Sequence, residues 1–290
     1  MTDSFPQWEI LGLSVSLPIL LISLIAVILI PVVLSRILAS KSQDGPSSFF
    51  LLAGPRDSGK TSFLLYLQEK TLIPTQTSTT SATVKLPTGV LEQIKSEDGG
   101  SSALEDTGSR HSFHLKDTPG HPKLRSQALT AINLAPKSCI GIIYMLDSAV
   151  LSSQPRLTDT VEYLYELLLV IQKQFASLSE SAATSPDPIP LLIACNKNDL
   201  FTALPSAKIS NLLQIELGRM KETKRKGLLN AGAGEEDDED LDRVLGDENS
   251  DHVTWEGLRE FGVEISVQSG SIKSIAAESW KSWMSSCLDA

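Results

Sequence analysis

Short apolar runs alternate with longer amphipathic stretches over most of the chain. FFLLA (49–53), SFHLKD (112–117), CIGIIYMLD (139–147), IPLLIACN (189–196) and GVEISV (262–267) read as strands. Continuous apolar strands separated by segments of helical length predict an α/β domain, with a parallel sheet covered on both faces. Helices are expected at 60–69, 121–134, 158–178, 206–220 and 272–288. In the third of these, Val161, Leu164, Tyr165, Leu168 and Ile171 recur at helical spacing and form a core-facing stripe. Trp280, Trp283 and Met284 give the last helix a packing face of its own.

A different pattern precedes the first strand. No charge occurs between Glu9 and Arg36, and LPILLISLIAVILIPVVL (17–34) is almost wholly aliphatic. A helix of about 20 such residues crosses roughly 30 Å of hydrocarbon, so 10–35 predicts a transmembrane helix. A cleaved secretory signal would want a basic start and a shorter apolar run, whereas this N-terminus carries Asp3 and Glu9. Pro18 and Pro31 lie toward the ends of the run, where a membrane helix tolerates them. Arg36 and Lys41 follow the run and no Lys or Arg precedes it, so the positive-inside rule leaves 1–9 lumenal and the rest cytosolic. Residues 36–47 then form a polar linker, and 48–290 the soluble domain.

Three polar stretches interrupt the soluble part. Two, at 96–110 and 178–190, read as loops; the third, 221–251, is basic in KETKRK and then strongly acidic. Its composition predicts a solvated, disordered insertion, with a binding tail as the other reading. Residues 235–251 hold ten acids and one base, which accounts for nine of the ten net negative charges. The remainder is nearly neutral and has no long basic face, which argues against direct nucleic-acid binding. Cys139, Cys195 and Cys287 are odd in number and far apart, so neither a disulfide framework nor a zinc site is indicated.

The turns after the strands carry the candidate chemistry. GPRDSGKT (54–61) matches the GxxxxGK[ST] phosphate loop and lies between a predicted strand and a predicted helix. Backbone N–H groups of Gly54, Asp57, Ser58 and Gly59 would wrap the phosphates, with Ser62 beside them; Lys60 would reach the β and γ groups, and Thr61 would bind Mg2+. NKND (196–199) follows the strand PLLIAC. There the Asp199 carboxylate can accept two hydrogen bonds from guanine that adenine cannot supply. Asn196 would tie this turn to the phosphate loop, and the Lys197 stem would cover the base. In DTPGH (117–121), Asp117 is placed to hold Mg2+ through water and Gly120 to offer its N–H to a γ-phosphate. Many GTPases carry a water-orienting glutamine after this glycine; here His121 stands there, as water positioner or as partner contact. TQTSTTSAT (75–83) supplies several hydroxyl groups able to sense the γ-phosphate and the metal, indistinguishable by composition.

At these residues the chain resembles the β-subunit family of the signal recognition particle receptor, GTPases related to Arf and Sar. The resemblance spans 10–290: the apolar anchor, GPRDSGKT, TQTSTT, DTPGH, LLIACNKND and EISVQ. It implies a P-loop small GTPase fold, a mostly parallel six-stranded sheet with helices on both faces, preceded by one transmembrane helix. It also implies GTP/GDP and Mg2+ as cofactors and a single-pass location in the endoplasmic reticulum membrane. Slow, partner-dependent hydrolysis is expected from complete GTP motifs beside an anchor with no glutamine after Gly120. The implied partner is the receptor α subunit, held by the GTP form, with the ribosome or translocon beyond it. Aligned on TQTS, the magnesium-sensing threonine falls on Thr77, with Thr79 and Thr80 as alternatives. Aligned on EISVQ, the base-contact loop falls on Ser266 and Val267, with Gln268 where lysine is common. Other readings stay open: an Arf-like GTPase of vesicle traffic, an efficient stand-alone GTPase, or a nucleotide-insensitive subunit associated with the translocon.

Overall fold

The computed structural model describes residues 7–10, 13–16, 27, 48–92, 112–181, 186–230, 244–247, 250, 252–273 and 277–289. The chain divides into two units, 1–47 and 48–290.

In the first unit Gln7–Ile10 (β1) pairs antiparallel with Leu13–Ser16 (β2), Gln7 opposite Ser16 and Ile10 opposite Leu13. This corrects the beginning of the membrane helix expected over 10–35. LSVS alternates apolar and hydroxyl residues with the two-residue period of a strand, and the continuous aliphatic run starts only at 17. Apart from Val27, residues 17–35 and the linker 36–47 lie outside the described residues. Among the described residues, no helix is long and apolar enough to cross a membrane.

In the second unit all five apolar runs are strands. Phe49–Ala53 (β3), Ser112–Asp117 (β5), Cys139–Asp147 (β6), Ile189–Asn196 (β7) and Val263–Ser269 (β8) are joined by Ala82–Pro87 (β4) in a six-stranded sheet of order β4-β5-β3-β6-β7-β8. Every neighbouring pair is parallel except β4 with β5. The sequence pattern did not locate β4, because it is an edge strand whose only buried residue is Leu86. The helices are Lys60–Glu69 (α1), the short Gly89–Glu92 (α2), Ser126–Leu134 (α3), Gln154–Ser181 (α4), Ser206–Asn230 (α5), Trp255–Glu260 (α6) and Glu278–Asp289 (α7).

Alternation along β3 sorts the core into two layers. Phe49, Leu51 and Ala53 face α3, α4 and α5, where the stripe from Val161 to Ile171 is buried. Phe50 and Leu52 face the other way, onto Phe63 and Leu67 of α1 and Trp280 and Met284 of α7. The β3–β5 and β3–β6 pairs flank the point where the chain order reverses, so the loops after these strands open at one edge, the usual ligand position in such sheets.

Several helix ends differ from expectation: α3 begins at Ser126 rather than 121, because Pro122–Leu124 is a separate 3-10 turn, and α4 runs Gln154–Ser181 rather than 158–178. Helix α5 runs to Asn230, ten residues into the segment expected to be disordered, because Lys, Glu and Arg there are good helix formers. The far end of that segment is also built into the domain. Val244 and Leu245 are buried, Lys221 is buried and donates to the Asp247 carbonyl, and the Gln172 side chain contacts the Val244 carbonyl at 3.2 Å and the Gly246 N–H at 2.8 Å. Residues 231–243, most of the acidic run, lie outside the described residues. Helix α7 begins at Glu278 rather than 272, because Ser271 and Ile272 are drawn into the loop described next.

Candidate nucleotide-binding site

The phosphate loop leaves β3 and wraps the first turn of α1. Gly59 adopts φ 100°, and a β-carbon there would lie 2.3 Å from Asn196 Nδ2, so the close approach of the two loops requires glycine. Lys60 is buried and turned into its own loop: Nζ donates to the carbonyls of Gly54 at 2.8 Å and Pro55 at 2.7 Å, and to Ser58 Oγ at 3.3 Å. Burial lowers its pKa to about 8, partly opposed by the Asp117 and Asp57 carboxylates. Asp57 has φ 62° and faces solvent, 3.9 Å from Arg156.

Asp117 ends β5 opposite Leu52 of β3. Thr61 Oγ1 donates to its Oδ2 at 2.6 Å, whereas its buried Oδ1 has no hydrogen-bond partner. Burial raises the Asp117 pKa, with the Thr61 hydrogen bond and the Lys60 charge opposing. A buried carboxylate oxygen without a donor, beside a threonine hydroxyl, is a donor set that suits a hard divalent cation or its water. Thr118 anchors the next residue, its Oγ1 donating to the Leu52 carbonyl at 2.6 Å. Gly120 packs on the phosphate loop; a β-carbon there would stand 2.6 Å from the Gly54 oxygen and 2.7 Å from Lys60 Nζ. A cavity between these loops is lined by Asp57, Gly59, Lys60, Thr61, Gly120 and the segment Thr75 to Ser78, which includes Thr77. Ser62 and Thr75 hold this segment's near end, their hydroxyl oxygens 3.1 Å apart. His121 lies apart from that lining. Its Nδ1 accepts the Lys123 N–H at 3.2 Å and caps the 3-10 turn Pro122–Leu124.

Asn196 joins three elements. Its Nδ2 donates to the Ser58 carbonyl at 2.8 Å, and its Oδ1 accepts from Lys197 N at 2.7 Å and Ile272 N at 3.3 Å. Lys197 has φ 63° and its ammonium is fixed on Asp147 Oδ2 at 2.5 Å. Asp199 is exposed, and Ser271 Oγ donates to its Oδ1 at 2.6 Å, which lowers its pKa. A second cavity, of about 530 Å³, is lined by Asn196, Lys197, Asp199 and Leu200, by Ser271 to Lys273, and by Leu72 to Pro74.

This geometry corrects the base-contact loop. Ser266 and Val267 pair with Leu192 and Ile193 in mid-strand. The β7–β8 ladder continues to Cys195 and Ser269, so the turn begins at Gly270 and the loop facing Asp199 is Ser271-Ile272-Lys273. The signal was a hydroxyl residue just past the strand end, with a lysine two residues on. Asp147, which fixes Lys197, was also missed; it is the last residue of a strand already recognised.

With the site in view, comparison with known proteins decides the family. Residues 46–260 match the family model described as signal recognition particle receptor beta subunit. The chain belongs to that family. The receptor subunit beta of Saccharomyces cerevisiae is 29% identical over 242 residues, 81% of this chain and 82% of that protein. The human subunit is 28% identical over 207 residues, 71% of this chain and 64% of that protein. Among solved structures, SRb-GDP from Chaetomium thermophilum superposes with a TM-score of 0.60 at 31% identity, covering 84% of this chain and 99% of that one. A chain of the SRb-GTP/SRX complex from the same organism gives 0.62 at 28% identity, covering 82% of this chain and 99% of that one. The family match and the structural likeness agree with the mostly parallel six-stranded α/β sheet of this chain.

Proposed function

We propose that this receptor beta subunit binds GTP and GDP, and that its GTP form recruits the receptor α subunit to the endoplasmic reticulum membrane in support of cotranslational targeting. The observation that carries this reading is Asn196, which binds Ser58 of the phosphate loop and Ile272 of the base loop with one carboxamide. One residue thereby sets the distance between a phosphate site and a guanine site. The likeness to an SRb solved with GDP, and to one solved with GTP and SRX, supports the same ligand and partner for this chain.

In this reading Lys60 leaves its loop carbonyls for the β- and γ-phosphates, and Gly120 presents its N–H to the γ-phosphate. Thr61, Asp117 through water, and a hydroxyl of the 75–78 segment, Thr77 by the family alignment, hold Mg2+, which neutralises phosphate charge when bound. Asp199 reads the guanine edge with Ser271 holding its carboxylate, and Lys197, steadied by Asp147, covers the base. Contacts to a γ-phosphate order the threonine segment and DTPGH together, and that ordered pair is the surface the partner reads. His121 caps its own turn instead of lining the cavity, which favours slow, partner-dependent hydrolysis over stand-alone turnover. The aliphatic run at 17–34 is the single-pass anchor, so nucleotide controls partner binding while location stays fixed.

The test is capture of the receptor α subunit by the full chain in detergent, loaded with a non-hydrolysable GTP analogue or with GDP. Selective capture by the GTP form is expected. Equal capture would leave a tether without a switch, and capture by neither would point to a different anchored Arf-like GTPase.

A further inference from the structure

Two glutamines grip backbone in the same way. Gln172 of α4 binds Val244 O and Gly246 N, and Gln127 of α3 accepts the Ser81 N–H at 3.0 Å while donating to the Thr79 carbonyl at 3.3 Å. A carboxamide offers one acceptor and one donor side by side, so it matches an i, i+2 backbone pair as a neighbouring strand would. The first grip holds a structural segment onto the core. The second holds Thr79 to Ser81, the joint between the cavity-lining residues 75–78 and β4.

Helix α3 is itself anchored. Arg125, next to its first residue, is buried and donates to Asp159 Oδ1 at 2.5 Å and the Asp159 carbonyl at 3.2 Å, with its guanidinium 4.8 Å from the Tyr163 ring centroid. The Gln127 side chain therefore reaches from a helix fixed on α4 to the threonine segment, while Ser62 holds that segment's other end at Thr75.

We propose that Gln127 is a positioning residue that clamps the threonine segment to the helix following DTPGH, so that the two γ-phosphate-sensing segments move as one. The coupling rests on the proposed GTP/GDP function. The clamp itself does not.

The experiment uses the full chain in detergent with Gln127→Ala, Gln127→Glu and, as a control, Gln172→Ala. In nucleotide-free protein, hydrogen exchange at the Ser81 amide is expected to quicken about tenfold in Gln127→Ala, the scale of one lost hydrogen bond. Gln127→Glu, which keeps the acceptor, and Gln172→Ala are expected to leave it protected. Release of a fluorescent GTP analogue is expected to quicken about tenfold in Gln127→Ala, with GDP release changed less than about twofold. Unchanged Ser81 exchange in Gln127→Ala would overturn the clamp. Equal acceleration of both nucleotides, or of neither, would overturn the coupling and reduce Gln127 to local structure. If the unsubstituted chain bound neither nucleotide, the proposed function would fail and the coupling with it, while Ser81 exchange would still decide the clamp.

Discussion

Asn196 Nδ2 donates to the Ser58 carbonyl at 2.8 Å, a buried bond across 138 residues of sequence. Because the same side chain also accepts from Ile272 N, its loss frees the phosphate loop and the base loop from each other. Asn196→Ala is expected to weaken GTP and GDP alike, by about tenfold to a hundredfold, from the cost of buried groups left unpaired. Equilibrium titration with fluorescent nucleotides measures it; a loss confined to GTP would contradict the bridging role.

Asp199 accepts from Ser271 and otherwise faces the base cavity. Asp199→Asn exchanges an acceptor for a donor, so it is expected to weaken GTP and to gain xanthosine triphosphate, whose edge presents the complementary group. Competition between the two nucleotides reads this out. Retained preference for guanine would remove Asp199 from base recognition.

The pKa of Lys60, about 8 without nucleotide, gives binding a pH dependence. Phosphate stabilises the ammonium and raises its pKa. Below about pH 8 the group is already charged and affinity is flat; above it, binding must take up a proton, and affinity falls by up to about tenfold per pH unit. The slope of log Kd against pH, with Lys60→Arg as a variant expected to remain flat, checks the sign.

His121 spends its Nδ1 on the Lys123 N–H. His121→Ala is accordingly expected to change single-turnover GTP hydrolysis less than about threefold, from an unassisted rate well below about 1 s⁻¹. A fall of a hundredfold would restore the histidine as the water-positioning group.

The acidic run and its flanks are expected to part company on deletion. Removing 231–243 should leave GTP affinity and Tm unchanged, whereas Leu245→Ala, which empties a fully buried position, should cost about 2–5 kcal/mol of stability. Thermal unfolding of the two variants side by side settles whether Leu245 belongs to the core.

Sequence alone determined what local chemistry determines. The apolar runs placed five of the six strands of the larger sheet, the 3.6-residue stripe placed α4, and GPRDSGKT, DTPGH and NKND placed the phosphate loop, Asp117 and Asn196 at strand ends. Those signals are readable because each depends on residues adjacent in the chain: continuous burial, helical spacing, a backbone that must bend at glycine. Tertiary structure alone decided the rest. Strand β4 is stabilised by pairing at an exposed edge and so carries little hydrophobic signal. The loop facing Asp199 begins at Ser271 and not at Ser266 because the β7–β8 ladder runs on to Ser269. Leu245 was hidden in a polar stretch because its burial comes from α4 and α5, distant in sequence. The Gln127 grip was invisible for the same reason: a carboxamide binds whatever backbone the fold brings to it, and only the packing of α3 on α4 brings Thr79 and Ser81 within reach.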